Sequence, residues 1–367
     1  MSKSYYSLGL MSGTSADGVD ASIIQSDGDT QYKVIFNKYF EYNQDIYQSI
    51  HNLKDEINDV KDLKNLKEKI QPLEKKITLF HANAIKEIIK NCKANIDLIG
   101  FHGQTIFHND KEKISKQVGD GKLLSSLVKK TVVYYFRQND LKNGGNGAPL
   151  TPIFHKLLKK IFKINNVVFV NIGGISNITS LSNENHMSGT DIGPGMCLID
   201  RWLRKKSKKN YDENGIIAKS GRINKLILKQ LLDNFYEKEK KSGEDTIKSY
   251  DTKYFDISIL KNLSLEDGTA TLTEFTAQII ITALNKINNK EKIILCGGGR
   301  KNNFLVEKLM KKINDIKLID EFDVDGDFVE SQAFAYLAIR SLLKLPISFP
   351  ETTGVKNPCT GGIIINY

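Results

Sequence analysis

Two segments of this chain follow the same order of an apolar strand, a glycine-rich turn and a second apolar strand. They are Tyr6 to Gln25, with the turn MSGTSADGVD, and Asn166 to Leu181, with the turn NIGGIS. Helical sequence follows each, and then another apolar strand that ends in glycine: Ile96 to Gly103 and Lys292 to Gly299. The repeated order predicts two similar α/β halves, and 367 residues are enough for two domains.

Helical periodicity is visible between the strands. Pro152 to Ile164 is amphipathic, whereas Thr273 to Ile287 and Ser331 to Leu343 are apolar enough to be buried helices. The stretch from Asn143 to Pro152 is rich in glycine and proline and predicts the crossing between the halves. We therefore expect an N-terminal domain of residues 1–135 plus 345–367 and a C-terminal domain of residues 136–344.

Composition narrows the class of protein. The formal net charge is +10, but the densest lysine run, Leu203 to Tyr211, lacks interleaved aromatics and any nucleic-acid motif, so we expect solvated lysines and no nucleic-acid partner. No apolar run has the length of a membrane span, and the start of the chain lacks the layout of a signal peptide. The four cysteines form no C-x-x-C pair, which favours a reducing compartment. A cytoplasmic protein without a membrane partner is the expectation.

The first turn has the composition of a phosphate site. Gly13 and Gly18 permit a tight turn and close approach of a ligand, and Thr14 and Ser15 add hydroxyl groups. Successive amides in such a turn form a concave anion site. Asp17 and Asp20 are candidate Mg²⁺ ligands beside phosphate oxygens. A plain hairpin turn is the alternative, and the missing lysine after the second glycine excludes a P-loop.

The second half offers a matching turn and a fixed carboxylate. Gly173 and Gly174 again allow close backbone approach, and Ser176 and Asn177 can donate hydrogen bonds, so the two turns together predict a phosphate clamp. Asp191 precedes a Gly-Pro-Gly turn that holds its backbone, as a general base requires. The alternative is a helix N-cap, which we favour for Asp200.

Four further pieces are weaker signals. Gly297, Gly298 and Gly299 close a strand before a helix and suit part of a nucleotide. His102, Gln104 and Thr105 lie at a strand end, and Arg137 is able to meet a carboxylate bidentately, so all four are candidates for binding a polar substrate. A buried, hydrogen-bonded histidine is an equal alternative for His102. Glu330 is an active-site candidate or an ordinary N-terminal helix charge.

These motifs together resemble the anhydro-N-acetylmuramic acid kinases. The resemblance runs from about Leu8 to Gly354 and is carried by MSGTSADGVD, FHGQT, GGNGAPLTPIFH, NIGGISNIT, TDIGPG, TLTEFTA, CGGGRKNN and ESQAFAYLA in that order. It implies two similar actin-like (ribonuclease H-like) domains around a central nucleotide cleft. It also implies that ATP, water and 1,6-anhydro-N-acetylmuramic acid give N-acetylmuramate 6-phosphate and ADP, in the recycling of cell-wall peptidoglycan. A homodimer is a family-level expectation.

The resemblance also assigns roles to residues. Asp191 matches the catalytic aspartate, Glu330 an active-site glutamate, and the three glycines from Gly297 the adenosine side. The ATP-phosphate motif covers the whole first turn: Gly13, Thr14, Ser15, Ala16, Asp17, Gly18, Val19 and Asp20. Three positions depart from the family pattern: Tyr135 stands where the family usually has aspartate, Met196 where it has asparagine, and Lys248 to Asp251 represents its Pro-Pro-Lys-Ser stretch only loosely.

Three other functions compete with this one. A kinase of the same superfamily that acts on a plain hydroxyl would need no water. A chaperone-type or actin-type ATP switch should lack a fixed base facing a small-molecule pocket. A nucleic-acid-binding module, suggested by charge alone, would show steep salt dependence.

Overall fold

The computed structural model describes residues 3–182, 186–242, 247–287 and 291–367. The chain divides into two compact units: Met1–Ile164 with Asp327–Tyr367, and Asn165–Gly326. The predicted boundaries at residues 136 and 344 both lie within the first unit. The predicted crossing from Asn143 to Pro152 lies there as well, and the chain passes into the second unit after Ile164.

The sheet of the first unit has strand order β12-β6-β4-β1-β2-β3, with β5 paired to β4. Strands β1, β2 and β3 form an antiparallel meander, whereas β4 and β6 run parallel to β1, and β12 runs antiparallel to β6. The strand bounds are β1 Tyr5–Ser12, β2 Gly18–Ser26, β3 Tyr32–Glu41, β4 Leu98–Asn109, β5 Ile114–Val118, β6 Thr131–Tyr134 and β12 Ile363–Ile365.

The sheet of the second unit has strand order β11-β10-β7-β8-β9. Strands β7, β8 and β9 form an antiparallel meander, and β10 and β11 are parallel to β7. The bounds are β7 Val167–Ile172, β8 Ile175–Ser182, β9 His186–Pro194, β10 Lys292–Cys296 and β11 Ile316–Leu318. Strands β9-β8-β7-β10-β11 thus repeat the order and directions of β3-β2-β1-β4-β6. This repeat confirms the prediction of two similar α/β halves.

Thirteen α-helices lie in the described residues. Those of the first unit are α1 Gln44–Glu56, α2 Val60–Asn65, α3 Lys67–Asn91, α4 Gly121–Val128, α5 Gln138–Lys142, α6 Pro152–Phe162, α12 Val329–Leu342 and α13 Pro350–Thr353. Those of the second are α7 Cys197–Lys206, α8 Ile216–Ser220, α9 Lys225–Ser242, α10 Leu265–Asn285 and α11 Asn303–Met310. None of the helices described is long and apolar enough to cross a membrane.

Helix α12 lies directly on the first sheet because two neighbouring strands carry glycine there. A Cβ at Gly9 would lie 1.9 Å from the carbonyl oxygen of Ser331, and one at Gly100 would lie 2.3 Å from that of Phe334. Successive side chains of a strand point to opposite faces, so Leu8 and Leu10 pack on the other face. Both faces of β1 and β4 are therefore covered, as expected of the parallel part of a sheet.

In the second unit, the core joins the sheet to α10 and α11. Val168, Val170 and Ile172 of β7 pack with Ile280 of α10 and Leu305 of α11. The predicted helices at Pro152, Thr273 and Ser331 are confirmed as α6, part of α10 and most of α12.

Candidate active site

The first predicted turn connects β1 to β2 and is fastened by a side chain of β4. Ser12 Oγ lies 2.5 Å from Oε1 of Gln104 and 2.8 Å from the carbonyl oxygen of Gly18. Nε2 of Gln104 donates to the carbonyl of Gly13 over 3.1 Å. Because β1 and β4 are parallel neighbours, the register places Gln104, in the middle of β4 rather than at the predicted strand end, opposite Ser12 at the start of the turn. Gln104 therefore holds the base of the turn through both atoms of its amide.

The two glycines of this turn have different structural roles. A Cβ at Gly18 would lie 2.4 Å from the carbonyl oxygen of Phe40 and 2.5 Å from the hydroxyl of Tyr39, so only glycine fits. At Gly13 the nearest atom to a Cβ would be 4.0 Å away, which leaves open space beside the turn. Thr14 and Ser15 are exposed. The side of the turn next to Gly13 is thus open for a ligand.

The two apolar residues of the motif, Ala16 and Val19, carry the backbone through the turn. Ala16 is fully buried at a φ of 54°, in the left-handed region, and its amide donates to the carbonyl of Gly13 over 3.2 Å. Val19, the second residue of β2, is fully buried in the core. A φ this positive is uncommon for alanine and concentrates at tight functional turns.

Asp17 and Asp20 both lie close enough to Tyr39 for their charges to affect the pKa of its hydroxyl. Burial raises the pKa of the Tyr39 hydroxyl, and the negative charges of Asp17 and Asp20 raise that pKa further. Ser15 donates to Asp17 over 2.9 Å. The described residues contain no cluster of three or more His, Cys, Asp or Glu side chains suited to a metal ion. Two carboxylates in a turn that is predicted to bind phosphate nevertheless fit Mg²⁺, which commonly takes one or two carboxylates and completes its shell with phosphate and water.

His102 and Arg137, predicted separately, are in direct contact. Nε2 of His102 accepts from Nη2 of Arg137 over 3.0 Å, and Nδ1 donates to the carbonyl of Gly103 over 2.8 Å. Burial, and then the charge of Arg137, lower the pKa of His102 well below its usual value. The imidazole is therefore neutral at physiological pH and does not serve as a proton donor from a charged state. His102 is buried and hydrogen-bonded, as the alternative interpretation expected, and its role in binding a substrate stays a prediction.

A buried carboxylate that the sequence analysis missed supports this pair. Asp140 is 1% exposed and accepts from the amide of Gly147 over 2.6 Å and from the hydroxyl of Thr353 over 2.5 Å. The carbonyl of Gly147 in turn accepts from Nη1 of Arg137 over 2.7 Å. The signal available in the sequence was its place three residues after Arg137, just before the Gly-rich stretch.

The positions of Thr105 and Glu330, two other predicted site residues of this unit, fit a structural role as well as a functional one. The hydroxyl of Thr105, in β4, accepts from Nε2 of Gln117 over 3.2 Å. Glu330 is half-buried in the first turn of α12, a position that suits a helix N-terminus as well as a site.

In the second unit, the two predicted turns are hydrogen-bonded to each other. The amide of Gly195 donates to the carbonyl of Gly174 over 2.9 Å, and that of Met196 to Gly173 over 2.8 Å. A Cβ at Gly195 would lie 2.2 Å from the carbonyl oxygen of Gly173, so glycine is required. Within the described part of the chain, the buried Oδ1 of Asn177 has no hydrogen-bond partner. An orphaned polar atom beside these turns fits a site that a ligand completes.

Asp191 lies in β9, opposite Asn177 of β8 in the strand register. Its Oδ2 accepts from the amide of Tyr250 over 2.8 Å, and its own amide donates to the carbonyl of Lys248 over 3.0 Å. Only 8% of Asp191 is exposed. Main-chain bonds therefore fix both its backbone and one carboxylate oxygen.

The structure excludes the alternative interpretation of Asp191 as a helix cap. The N-cap of α7 is Met196, which makes no side-chain cap bond, and Asp191 lies five residues earlier in a strand. The family's usual asparagine at position 196 would be a favoured cap, and methionine cannot replace that bond. Asp200 lies in the first turn of α7, but the prediction that it caps the helix is wrong.

The three glycines after β10 are not equivalent. A Cβ at Gly297 would lie 2.3 Å from Oδ1 of Asn171, and one at Gly299 would lie 2.3 Å from Cγ2 of Ile172, so both pack on the end of β7. Gly298 has no atom within 4 Å of that position. Asn302 caps α11 immediately beyond. Gly298 is thus the glycine that leaves space for a ligand at the carboxyl ends of the parallel strands β7 and β10.

Comparison with known proteins decides the family. The family model described as "Anhydro-N-acetylmuramic acid kinase" matches residues 5–367. The chain belongs to the anhydro-N-acetylmuramic acid kinase family. Curated kinases of that name from Pelagibacter ubique and Zymomonas mobilis are 54% and 37% identical to it, over 100% and 97% of this chain and 100% and 98% of their own lengths. The match covers both units, and the repeated strand order agrees with the two similar α/β domains predicted from sequence.

Proposed function

We propose that this kinase opens the anhydro bridge of 1,6-anhydro-N-acetylmuramic acid with water and phosphorylates the oxygen released at C6. ATP, water and the anhydro sugar would give N-acetylmuramate 6-phosphate and ADP, which feeds peptidoglycan recycling and amino-sugar metabolism. The observation that carries the proposal is the near-complete family match, from residue 5 to residue 367. A cytoplasmic location belongs to the same proposal, because the phosphoryl donor is ATP.

Asp191 is the proposed base in this reaction. The Tyr250 amide binds Oδ2 and so fixes the orientation of the carboxylate that would accept a proton from water. The water oxygen bonds to the anomeric carbon as the bond from that carbon to the bridging oxygen breaks. The bridging oxygen then takes the γ-phosphoryl group, so it needs no separate acid to protonate it.

The glycine turns are the proposed phosphate-binding elements. Residues Gly13 to Asp20 would bind phosphates through their amides on the open side beside Gly13. Gly173 and Gly174 would do the same in the second unit, where Asn177 would donate to the nucleotide from its side-chain Nδ2, and Gly297 to Gly299 would contact adenosine, with Gly298 at the open position. Such groups suit phosphoryl transfer, which depends chiefly on positioning and charge neutralisation.

Mg²⁺ is the proposed metal, with Asp17 and Asp20 as its protein ligands, directly or through water. When bound, it would neutralise charge on the phosphate oxygens. His102, Gln104, Thr105 and Arg137 are the proposed contacts to the sugar, and Glu330 is a proposed active-site residue. Gln104 would link the two functions, because its amide also holds the phosphate turn.

Isotope labelling tests the reaction. The protein is incubated with ATP, Mg²⁺ and the anhydro sugar in ¹⁸O-labelled water, and the product is examined by mass spectrometry. We expect one ¹⁸O atom in the sugar moiety and none in the transferred phosphoryl group. A phosphorylated product that keeps the anhydro bridge and carries no label would instead identify a kinase that acts on a plain hydroxyl.

A further inference from the structure

Helix α1 holds the first turn through two basic side chains. Nζ of Lys54 donates to the carbonyl of Thr14 over 3.2 Å, and Nε2 of His51 lies 3.0 Å from the carbonyl oxygen of Ser15. A carbonyl oxygen only accepts, so His51 donates from Nε2. Forty residues separate the first pair and 36 the second, so the sequence pattern of the turn contains no sign of this contact.

The two contacts fix the direction of the amides in the turn. In a planar trans peptide unit, the C=O and N–H groups point in opposite directions. Because the carbonyls of Thr14 and Ser15 point toward α1, the amides of Ser15 and Ala16 point away from it. The Ala16 amide is used within the turn, by the carbonyl of Gly13. The Ser15 amide is thus directed away from the helix, as an anion site requires.

Helix α1 is a firm support for this arrangement. Its residues Ile46, Ile50 and Leu53 are buried in the core of the first unit. Asn43 caps it by accepting from the amide of Ile46 over 2.9 Å. The imidazole of His51 packs beside the ring of Tyr47, with 4.4 Å between centroids. The donor groups therefore come from a fixed element rather than from a loop.

We propose that His51 and Lys54 are positioning residues for the ATP-phosphate turn: they hold the carbonyls of Thr14 and Ser15 on one side so that the Ser15 amide faces the phosphates on the other. The inference rests on the proposed function, because it assigns ATP phosphates to this turn. It explains how a turn without the lysine of a P-loop is kept in a phosphate-binding shape.

The test separates phosphate binding from binding of the rest of the nucleotide. Calorimetry measures the dissociation constants of ATP and of adenosine for the parent and for four variants. Lys54→Met and His51→Phe remove the donors, and each should weaken ATP binding about tenfold, the scale of one hydrogen bond. Lys54→Arg and His51→Gln keep a donor and should restore most of the affinity. Adenosine binding should change less than twofold in all four.

Lys69→Met is the matched control. Lys69, in α3, pairs with Glu56 at the end of α1 over 2.6 Å, so this variant removes an equal charge nearby without touching the turn. It should bind ATP like the parent. ATP affinity that is unchanged in Lys54→Met and His51→Phe would overturn the inference, and so would an equal loss of adenosine and ATP. If the parent catalyses the reaction but the variants give either of these results, only the positioning role is refuted. If the parent itself binds no ATP, the proposed function is refuted as well.

Discussion

The main-chain amide of Tyr250 donates a 2.8 Å hydrogen bond to Oδ2 of Asp191, across 59 residues of sequence. The same segment contacts β9 twice more: the amide of Lys248 donates to the hydroxyl of Thr190 over 2.9 Å, and its carbonyl accepts from the amide of Asp191. The proposed base is therefore oriented by the segment from Lys248 to Tyr250. In sequence, this segment resembles the corresponding stretch of the family only loosely.

The ion pair between Lys248 and Glu239 of α9 should stabilise this segment. Both side chains are largely buried, at 18% and 12% exposure, so Lys248→Met leaves a largely buried carboxylate without its cationic partner. We expect a loss of about 2 kcal/mol in the free energy of unfolding, below the full 3–5 kcal/mol because some exposure remains. Product formation in a single turnover should slow several-fold while ATP affinity is kept. Denaturant unfolding and rapid quench measure the two effects.

Lys317→Met is the control for that variant, since Lys317 pairs with Glu321 on the surface. Its effect on the free energy of unfolding should be within about 0.5 kcal/mol. Equal effects of the two variants would mean that the Lys248 pair has no special role.

Because the space beside Gly13 and Gly298 is open, we predict that valine at either position leaves the fold intact but weakens nucleotide binding. In Gly13→Val and Gly298→Val, the branched side chain occupies space assigned to ATP. We expect the parent's thermal midpoint within a few degrees and ATP affinity reduced at least tenfold. Gly18→Val is the contrasting variant: it should fail to fold, because its Cβ would lie 2.4 Å from the main chain of Phe40. Normal ATP binding in both folded variants would remove these turns from the site.

Activity should depend strictly on a divalent cation. Chelation with EDTA should abolish turnover and Mg²⁺ should restore it. Asp17→Asn and Asp20→Asn should each raise the Mg²⁺ concentration needed for half-maximal activity. Asp45→Asn, an exposed carboxylate paired with Lys76, should leave the requirement unchanged. Full turnover in metal-free buffer would contradict the assignment.

Sequence patterns predicted the elements of the fold better than the contacts of the site. The hairpins, the apolar strand after each and the buried α12 follow from local apolar runs and glycine positions. Local pattern cannot reveal that Lys54 reaches Thr14, that Asp140 supports Arg137 through Gly147, or that Tyr250 orients Asp191. Each of these contacts depends on strand order and helix packing. Strand β9 was missed for a related reason, because its Gly-rich sequence has little β-propensity and pairing to β8 decides its structure.

Three buried histidines and the half-buried His108 predict a loss of stability in acid. Burial lowers the pKa of His81 to about 4, of His108 and His155 to about 3, and of His102 well below the ordinary value. Below about pH 6.5 the unfolded chain protonates these imidazoles while the native state keeps them neutral. The unfolded state then binds more protons, so stability falls as the pH falls.

The expected loss is about 1.4 kcal/mol per pH unit for each histidine between pH 6.5 and the folded-state pKa. Denaturant unfolding at pH 7, 6 and 5 measures this slope. In His81→Leu, the free energy of unfolding should change less steeply with pH than in the parent. The difference should correspond to one proton, about 1.4 kcal/mol per pH unit, whatever the variant's overall stability. A free energy of unfolding that does not change between pH 7 and pH 5 would show that these side chains are not buried in neutral form.

Single-turnover product formation by Asp191→Asn, with ATP and the anhydro sugar saturating, tests the proposed mechanism most directly. Asparagine keeps the size of the side chain and accepts the Tyr250 bond, so fold and ATP affinity should remain. It cannot take a proton from water, and the chemical step should slow roughly a hundredfold or more. Asp200→Asn in the first turn of α7 is the matched control and should be much milder. An Asp191→Asn rate within a few-fold of the parent, together with an inactive Asp200→Asn, would show that Asp191 is not the base.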